Sequence, residues 1–449
     1  MFSFDSNSPI LDKDRFIIGT ATSSFQIEGG AALGGRSPSI WDDFCLENGR
    51  VKGGDDGRRG TDHFNRWQED VDLIKDLNFD AYRFSISWSR IYPQKGQLNQ
   101  EGLDYYKNII DRLNQNGIKP FVTLYHWDLP SYLEERGGWL NRETAYLFAD
   151  YAETIAQEFG DKVQSIATLN EPFCSAFLGY LWGIHAPGYK DRRMAFQAAH
   201  HLMLAHGLAM SKLKEFAKNC ENGIVLNFTP SYPASDSPQD KLASRMADNE
   251  HTFWFADALL LGSYPKDLIE EHPDSKPSIM PGDMEIISQP VDFLGINFYS
   301  RIIAETHKSG YGTQECKGEK TDIGWEVYPQ ALYDLIKDKF QRYDQLPPMY
   351  ITENGAAYNL DAPGDKILED HKRISYYQGH LEKVEQLLSE GFPIKGYFAW
   401  SLMDNFEWAE GYSQRFGIVH VDFETMKRSP KASALSFKNL LAKRLPDSN

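Results

Sequence analysis

Eight short apolar segments recur along this chain, separated by amphipathic stretches with helical spacing. In order they read "RFIIGTATS", "AYRFSIS", "KPFVTLYHW", "SIATLNEP", "NGIVLNF", "VDFLGINFY", "PMYITENG" and "IKGYFAWSL". Each is rich in β-branched and aromatic residues near its centre, which is the composition of a strand. In "TDHFNRWQEDVDLIKDLNF", Phe64, Trp67, Val71, Ile74 and Leu77 fall at steps of three and four and form one apolar stripe, with Thr61 or Asp62 as the expected cap. In "NRETAYLFADYAETIAQEFG", Leu147, Tyr151, Ile155 and Phe159 do the same, with Asn141 as N-cap and Gly160 as stop.

Eight strand–helix alternations over 449 residues, without a Pro/Ser-rich linker or a break in composition, predict one α/β domain over residues 1–449. The expected architecture is a single (β/α)8 TIM barrel with long βα loops. A doubly wound sheet is the alternative, and it requires a glycine fingerprint after an early strand. "EGGAALGG" is glycine-rich but does not match GxGxxG, and no ribose-binding acid is obvious. "KGGDDGRRG" and the stretch Ser231 to Gln239 read as surface loops.

Composition removes several functions. Lys and Arg total 47 against 64 Asp and Glu, a net charge of −17, so a polyphosphate partner meets repulsion and nucleic acid is not an expected partner. Cys45, Cys174, Cys220 and Cys316 lie far apart with no CxxC pair, which argues against a zinc site or a disulfide framework and fits reduced thiols. The start "MFSFDSNSPILDKDRF" has no basic n-region or apolar h-region, and no run approaches bilayer length. A cytoplasmic protein with no membrane partner is therefore expected.

In a barrel of this kind chemistry sits at the C-terminal ends of the strands. Strand one leads to Gln26, and strand two contains Arg83. Strand three ends at His126 and Trp127, strand four at Asn170 and Glu171, and strand six at Asn297 and Tyr299. Strand seven ends at Glu353 and Asn354, and strand eight at Trp400, followed by "MDNFEWAEGYSQRFG". Each alone has an ordinary explanation: a helix-terminal charge, a satisfied core histidine, a packing tryptophan, a structural ion pair. Together they place two glutamates, several amides, a histidine and two tryptophans on one rim. Sugar hydroxyls both donate and accept, and sugar C–H faces are apolar, so this is the inventory a sugar site needs. Two rim carboxylates suggest glycoside hydrolysis, in which one acid protonates the leaving oxygen and a second carboxylate meets the oxocarbenium-like centre.

"FIIGTATSSFQIEG", "YHWDLP", "TLNEP", "INFYS", "YITENG" and "WSLMDNFEWAEGYSQRFGIVHVDF" closely resemble the family-one retaining β-glycosidases, typified by β-glucosidases. The resemblance covers essentially the whole chain, in order. It implies Glu171 as general acid/base and Glu353 as the nucleophile of a covalent glycosyl-enzyme. It implies that Asn170 binds the hydroxyl beside the reacting carbon. Gln26, His126, Trp127, Glu407 and Trp408 would hold the remaining hydroxyls, with Trp400 as stacking platform. Tyr299 and Arg83 would lie beside Glu353 and keep it ionised, with Asn297 supporting the site and Phe416 lining it. Trp325 resembles the family's aglycone-stacking tryptophan, and Phe173, Leu178 and His185 are expected at the cleft mouth. No metal or organic cofactor is expected, because both catalytic groups are side chains.

The implied activity is exo-hydrolysis of terminal β-D-glucosyl residues from cellobiose-like oligosaccharides and aryl or alkyl glucosides, extending to fucosides and galactosides. Two alternatives stand beside it: a 6-phospho-β-glucosidase, and a non-catalytic sugar-binding protein. Glu407 and Trp408, and the absence of lysine from "AEGYSQRFG", speak against the first. Retention of both glutamates speaks against the second.

Overall fold

Each of the eight apolar segments forms a strand in the computed structural model, which describes residues 1–308, 310–358, 362 and 364–444. The strands are β1 (Ile17–Ala21), β2 (Ala81–Ser85), β3 (Lys119–Tyr125), β4 (Ser165–Asn170), β5 (Glu221–Phe228), β6 (Phe293–Phe298), β7 (Met349–Asn354) and β8 (Ile394–Trp400). Neighbours in sequence pair in parallel, and β1 pairs with β8 from Ile17 against Gly396 to Ala21 against Trp400, closing the barrel. A helix follows each strand: α1 (His63–Asp76), α2 (Gln100–Gln115), α3 (Glu143–Phe159), α4 (Arg192–Phe216), α5 (Trp254–Leu261), α6 (Gln330–Lys337), α7 (His371–Ser389) and α8 (Ala432–Ala442). This is the (β/α)8 barrel expected from the alternation.

The strands are apolar on both faces because both faces are buried. Outward residues such as Ile18, Tyr82, Val122, Ile166, Ile224, Leu294, Ile351 and Tyr397 join the layer against the helices. Inward residues Ile17, Ala81, Phe121, Ala167, Val225, Phe293, Tyr350 and Phe398 form a separate cluster. Phe121 meets Phe398 edge-on at 4.8 Å and Tyr350 at 5.3 Å, so aromatic rings plug the lower barrel. Gly295 leaves room beside this plug: a Cβ there would lie 2.6 Å from the Val225 side chain. One or two inward positions further along, the lining turns polar, with Arg83 on β2, Asn297 on β6 and Thr352 on β7, all buried.

The expected caps are met in part. Asp62 occupies the N-cap position of α1 at φ 60°, but makes no capping bond. Its carboxylate instead accepts from Asn65 Nδ2 at 2.6 Å and Arg66 Nε at 3.2 Å. Asn141 precedes α3 by one residue more than expected, yet its Oδ1 accepts from Glu143 N at 3.0 Å. The stretch Ser231 to Gln239 is not a plain surface loop. Ser231–Pro233 pairs with Ile302–His307, which pairs in turn with Gly310–Gln314, and Ser237 caps a helix over Pro238–Asp248. These strands are short and locally polar, and long-range pairing rather than apolar pattern holds them. Among the described residues no helix is long and apolar enough to cross a membrane.

Four long connections lie beyond the C-terminal strand ends, at residues 22–62, 171–191, 299–329 and 401–431. They surround the mouth into which the polar inward residues open.

Candidate active site

Strand β4 delivers Glu171 by an abrupt change of direction. The ladder to β5 shifts register between Ala167 and Asn170. Glu171 N still donates to Val225 O at 2.9 Å, but the residue has φ 47°, in the left-handed region. Pro172 has no N–H to continue a ladder, and the chain enters a wide helical segment, Cys174–Leu181, whose first N–H donates to Glu171 O at 2.9 Å. Trp127, at φ 77°, and Trp408, at φ 50°, are also left-handed. Such conformations cost non-glycine residues about 1–3 kcal/mol and recur at functional sites. Three of them converge here, a signal that residue spacing does not carry.

The two glutamates sit in unlike surroundings. Glu353, at the end of β7, accepts from Arg83 Nη1 at 2.6 Å on one oxygen and from the Tyr299 hydroxyl at 2.6 Å on the other. Arg83 Nη2 reaches across to Asn170 Oδ1 at 2.7 Å. Glu171 has no cation in contact: its Oε1 accepts from Asn297 Nδ2 at 2.6 Å and its Oε2 from the Cys174 thiol at 3.0 Å. The Thr352 hydroxyl donates to Asn297 Oδ1 at 2.7 Å, which fixes that amide's orientation. Asn170 Nδ2 lies 3.1 Å from His126 Nε2, and its carbonyl accepts from Trp127 Nε1 at 3.0 Å.

Burial drives the electrostatics. Glu171 is pushed up to about 8, first by loss of water and then by the negative Glu353. Glu353 is also raised by burial, the largest influence on it. Arg83 and Tyr299 oppose that rise. Burial thus opposes ionisation of both carboxyls, and only Glu353 has a cation in contact to offset it. Glu407 is pushed up to about 8 by burial, with Glu353 and Glu171 adding repulsion. Burial holds His126 well below the ordinary histidine range, so its ring is neutral.

Around the carboxyls stands an aromatic wall. His126 lies parallel to Trp400 at 5.8 Å and to Trp408 at 6.0 Å, and Trp127 touches Trp408 at 4.5 Å. Gln26 is wholly buried, and its amide is engaged with Phe406 O at 2.9 Å, Asn405 Oδ1 at 3.0 Å and Glu407 Oε2 at 3.4 Å. On the outer side Tyr299, Trp325 and Phe416 meet in one cluster, with Trp325 5.2 Å from Tyr299 and 5.9 Å from Phe416.

These groups open on a cleft of about 750 Å³, whose lining includes Glu171, Glu353, Glu407, Trp400 and Trp325. Gln26, Arg83 and Asn170 stand behind that lining. Leu178 and His185 line the cleft as expected. Phe173 does not: it is buried against Phe177, Trp182 and His251, because the turn after Pro172 carries it away from the mouth. Cys174, Arg301, Lys320 and Glu326 also line the cleft, and no sequence pattern singled them out. Among the described residues no cluster of three or more His, Cys, Asp and Glu side chains is disposed to hold a metal ion.

Two buried glutamates beside an aromatic wall, at the strand ends of a (β/α)8 barrel, define an enzyme that hydrolyses glycosides. The chain belongs to glycosyl hydrolase family 1, whose model matches residues 11–445. It is 44% identical over 442 residues to a β-glucosidase of Agrobacterium sp., covering 97% of this chain and 96% of that one. It is 41% identical to a bifunctional β-D-glucosidase/β-D-fucosidase of Bifidobacterium breve, covering 95% of this chain and 97% of that one. The crystal structure of a β-glucosidase from Exiguobacterium antarcticum B7 superposes with a TM-score of 0.93 at 43% identity, covering 99% of this chain and 100% of that one.

Proposed function

We propose that this chain is a retaining exo-β-glucosidase working by double displacement, with residues 1–449 as one catalytic domain. Glu353 attacks the anomeric carbon while Glu171 protonates the leaving oxygen. Glu171, now ionised, then activates the water that releases the sugar. The observation that carries this reading is the asymmetry of the pair. Glu353 touches a guanidinium and a phenol, whereas Glu171 touches an amide and a thiol. Esterification of Glu353 removes the negative charge that helps keep Glu171 protonated, which turns the acid into a base.

Asn170, His126, Trp127, Gln26, Glu407 and Trp408 would shape the sugar end, with Trp400 beneath its apolar face, and Trp325 would meet the aglycone. The names of the relatives support β-glucosides, and the Bifidobacterium relative supports β-fucosides as a second substrate class. A phosphate at the sugar end would add negative charge beside Glu407 on the cleft wall, whose own ionised form Glu353 and Glu171 already disfavour, and this favours unphosphorylated substrates. Four free thiols suit a reducing compartment such as the cytoplasm.

A panel of nitrophenyl β-glycosides, including one 6-phosphate, tests the substrate class. Retention is tested by the carboxyl spacing and by product stereochemistry: about 5–5.5 Å and a β-anomer are expected, and a spacing beyond about 6.5 Å refutes it.

A further inference from the structure

Glu171 presents two oxygens to two different kinds of donor, and only one of those donors can change its role. On Oε1 sits Asn297 Nδ2 at 2.6 Å. That amide cannot flip without penalty, because Thr352 Oγ1 donates to its Oδ1 at 2.7 Å and its Nδ2 also serves Asn170 Oδ1 at 3.0 Å. Oε1 therefore faces a permanent donor. On Oε2 sits the Cys174 thiol, with Sγ at 3.0 Å. A thiol can rotate about its Cβ–Sγ bond, donating S–H to a carboxylate or turning its hydrogen away and offering sulfur to an O–H. The contact is built into the chain. Glu171 in its left-handed conformation and the helical bond from Cys174 N to Glu171 O bring residue 174 back over the carboxyl three residues earlier. Cys174 is buried and lines the cleft.

The geometry points to Cys174 as a positioning residue that places the acid proton of Glu171 on Oε2 and stabilises the carboxylate by S–H donation once that proton has left. This rests on the reading of Glu171 as acid/base. In the first half-reaction the proton passes from Oε2 to the departing glycosidic oxygen, and the thiol turns its hydrogen toward the new anion. In the second, Oε2 accepts a proton from water and the thiol turns away again. The thiol keeps its own proton throughout, and burial holds it well above the ordinary thiol range. Glu171 is also faced by Glu353 from β7, Arg83 from β2, Glu407 from beyond β8 and the Tyr299 phenol from beyond β6.

The test is the alkaline limb of kcat/KM for a nitrophenyl β-glucoside, which follows the acid of the free enzyme. In Cys174→Ala the lost S–H donation to the ionised form outweighs the lost weak acceptance by sulfur from the protonated form, so the limb moves up by about 0.5 pH unit. Cys174→Ser supplies a stronger donor, so the limb moves down by a similar amount, about 0.5 unit. Opposite movements support the inference. An unmoved limb in both variants, or movement in the same direction, overturns it, as does a loss of thermal stability with the limb unchanged. Should Cys174→Ala fail to fold, the downward shift in Cys174→Ser decides alone. Glu171→Gln separates the two readings. A limb that survives in Glu171→Gln overturns the acid/base assignment and this inference with it. A limb that vanishes there but ignores Cys174 overturns this inference only.

Discussion

Arg83 holds Glu353 at 2.6 Å while both side chains are 3% exposed, and the same guanidinium spans to Asn170 at 2.7 Å. One cation thus ties the end of β7 to the end of β4 across the barrel mouth. Replacing it with methionine leaves a buried carboxylate without its counter-charge. In the proposed mechanism Glu353 attacks as the anion, so activity should fall as pH drops through its pKa. Loss of Arg83 raises that pKa, and the acidic limb of kcat/KM should move up by about 1–3 pH units. The rate at the optimum should fall by about 10²–10³-fold. An acidic limb that stays in place in Arg83→Met refutes the role assigned to the pair.

Azide rescue separates the two glutamates by stereochemistry. Glu353→Ala should lose at least about 10⁴-fold in turnover of an aryl β-glucoside, and azide should restore it by forming the α-glycosyl azide. Glu171→Ala should keep its reaction with a dinitrophenyl glucoside, whose leaving group needs no proton, and lose about 10²–10⁴-fold with a poor leaving group. Azide should then give the β-glycosyl azide by attacking the glycosyl-enzyme. Identical azide products from both variants would contradict the assignment.

Trp325, proposed to meet the aglycone, is 37% exposed and rests on Tyr299 and Phe416. Trp325→Ala should weaken aryl glucoside binding by about 1 kcal/mol, a rise in KM of about fivefold. Hydrolysis of a preformed glycosyl-enzyme should not change, because the aglycone has gone. Pre-steady-state kinetics that find deglycosylation slowed instead would move Trp325 to the sugar end.

Away from the cleft, Lys431 is fully buried, with its ammonium 2.7 Å from Asp404 Oδ1 and 2.7 Å from Gly417 O. It anchors the loop that follows β8 and carries Glu407 and Trp408. Lys431→Met leaves Asp404 with less compensation and should destabilise the fold by about 3–5 kcal/mol. A urea titration measures this, and a loss under about 1 kcal/mol would show that Arg415, 2.9 Å from the same carboxylate, suffices.

The barrel was legible because each strand is buried on both faces and so announces itself as a short β-branched run. Glu171, Glu353, Trp400 and their neighbours were legible as polar or indole residues at the ends of such runs. Other features depend on what distant segments bring together. The pairing of Ser231–Pro233 needs Ile302–His307, and Phe173 is turned away by the helical segment after Pro172. The Cys174 contact needs the left-handed backbone of Glu171. Nor does sequence weigh opposing effects: Arg83 and Tyr299 could be named as partners of Glu353, but the larger influence of burial requires the closed barrel.

Between the strand that carries Glu171 and the strand that carries Glu353 lie β5 and β6, each paired in parallel with its neighbours, with register shifts only near the two glutamates. The bite of the two carboxyls is therefore gauged by backbone, three strand-to-strand steps of about 4.8 Å bent into an arc. The loop segments that carry Trp325, Glu407 and Trp408 lie outside this backbone path, while Tyr299 and Cys174, at the starts of their loops, touch the carboxyls directly. Insertions or exchanges in those outer segments should change which glycoside enters more readily than the proposed stereochemical outcome, so selection can work on substrate choice without reopening the chemistry.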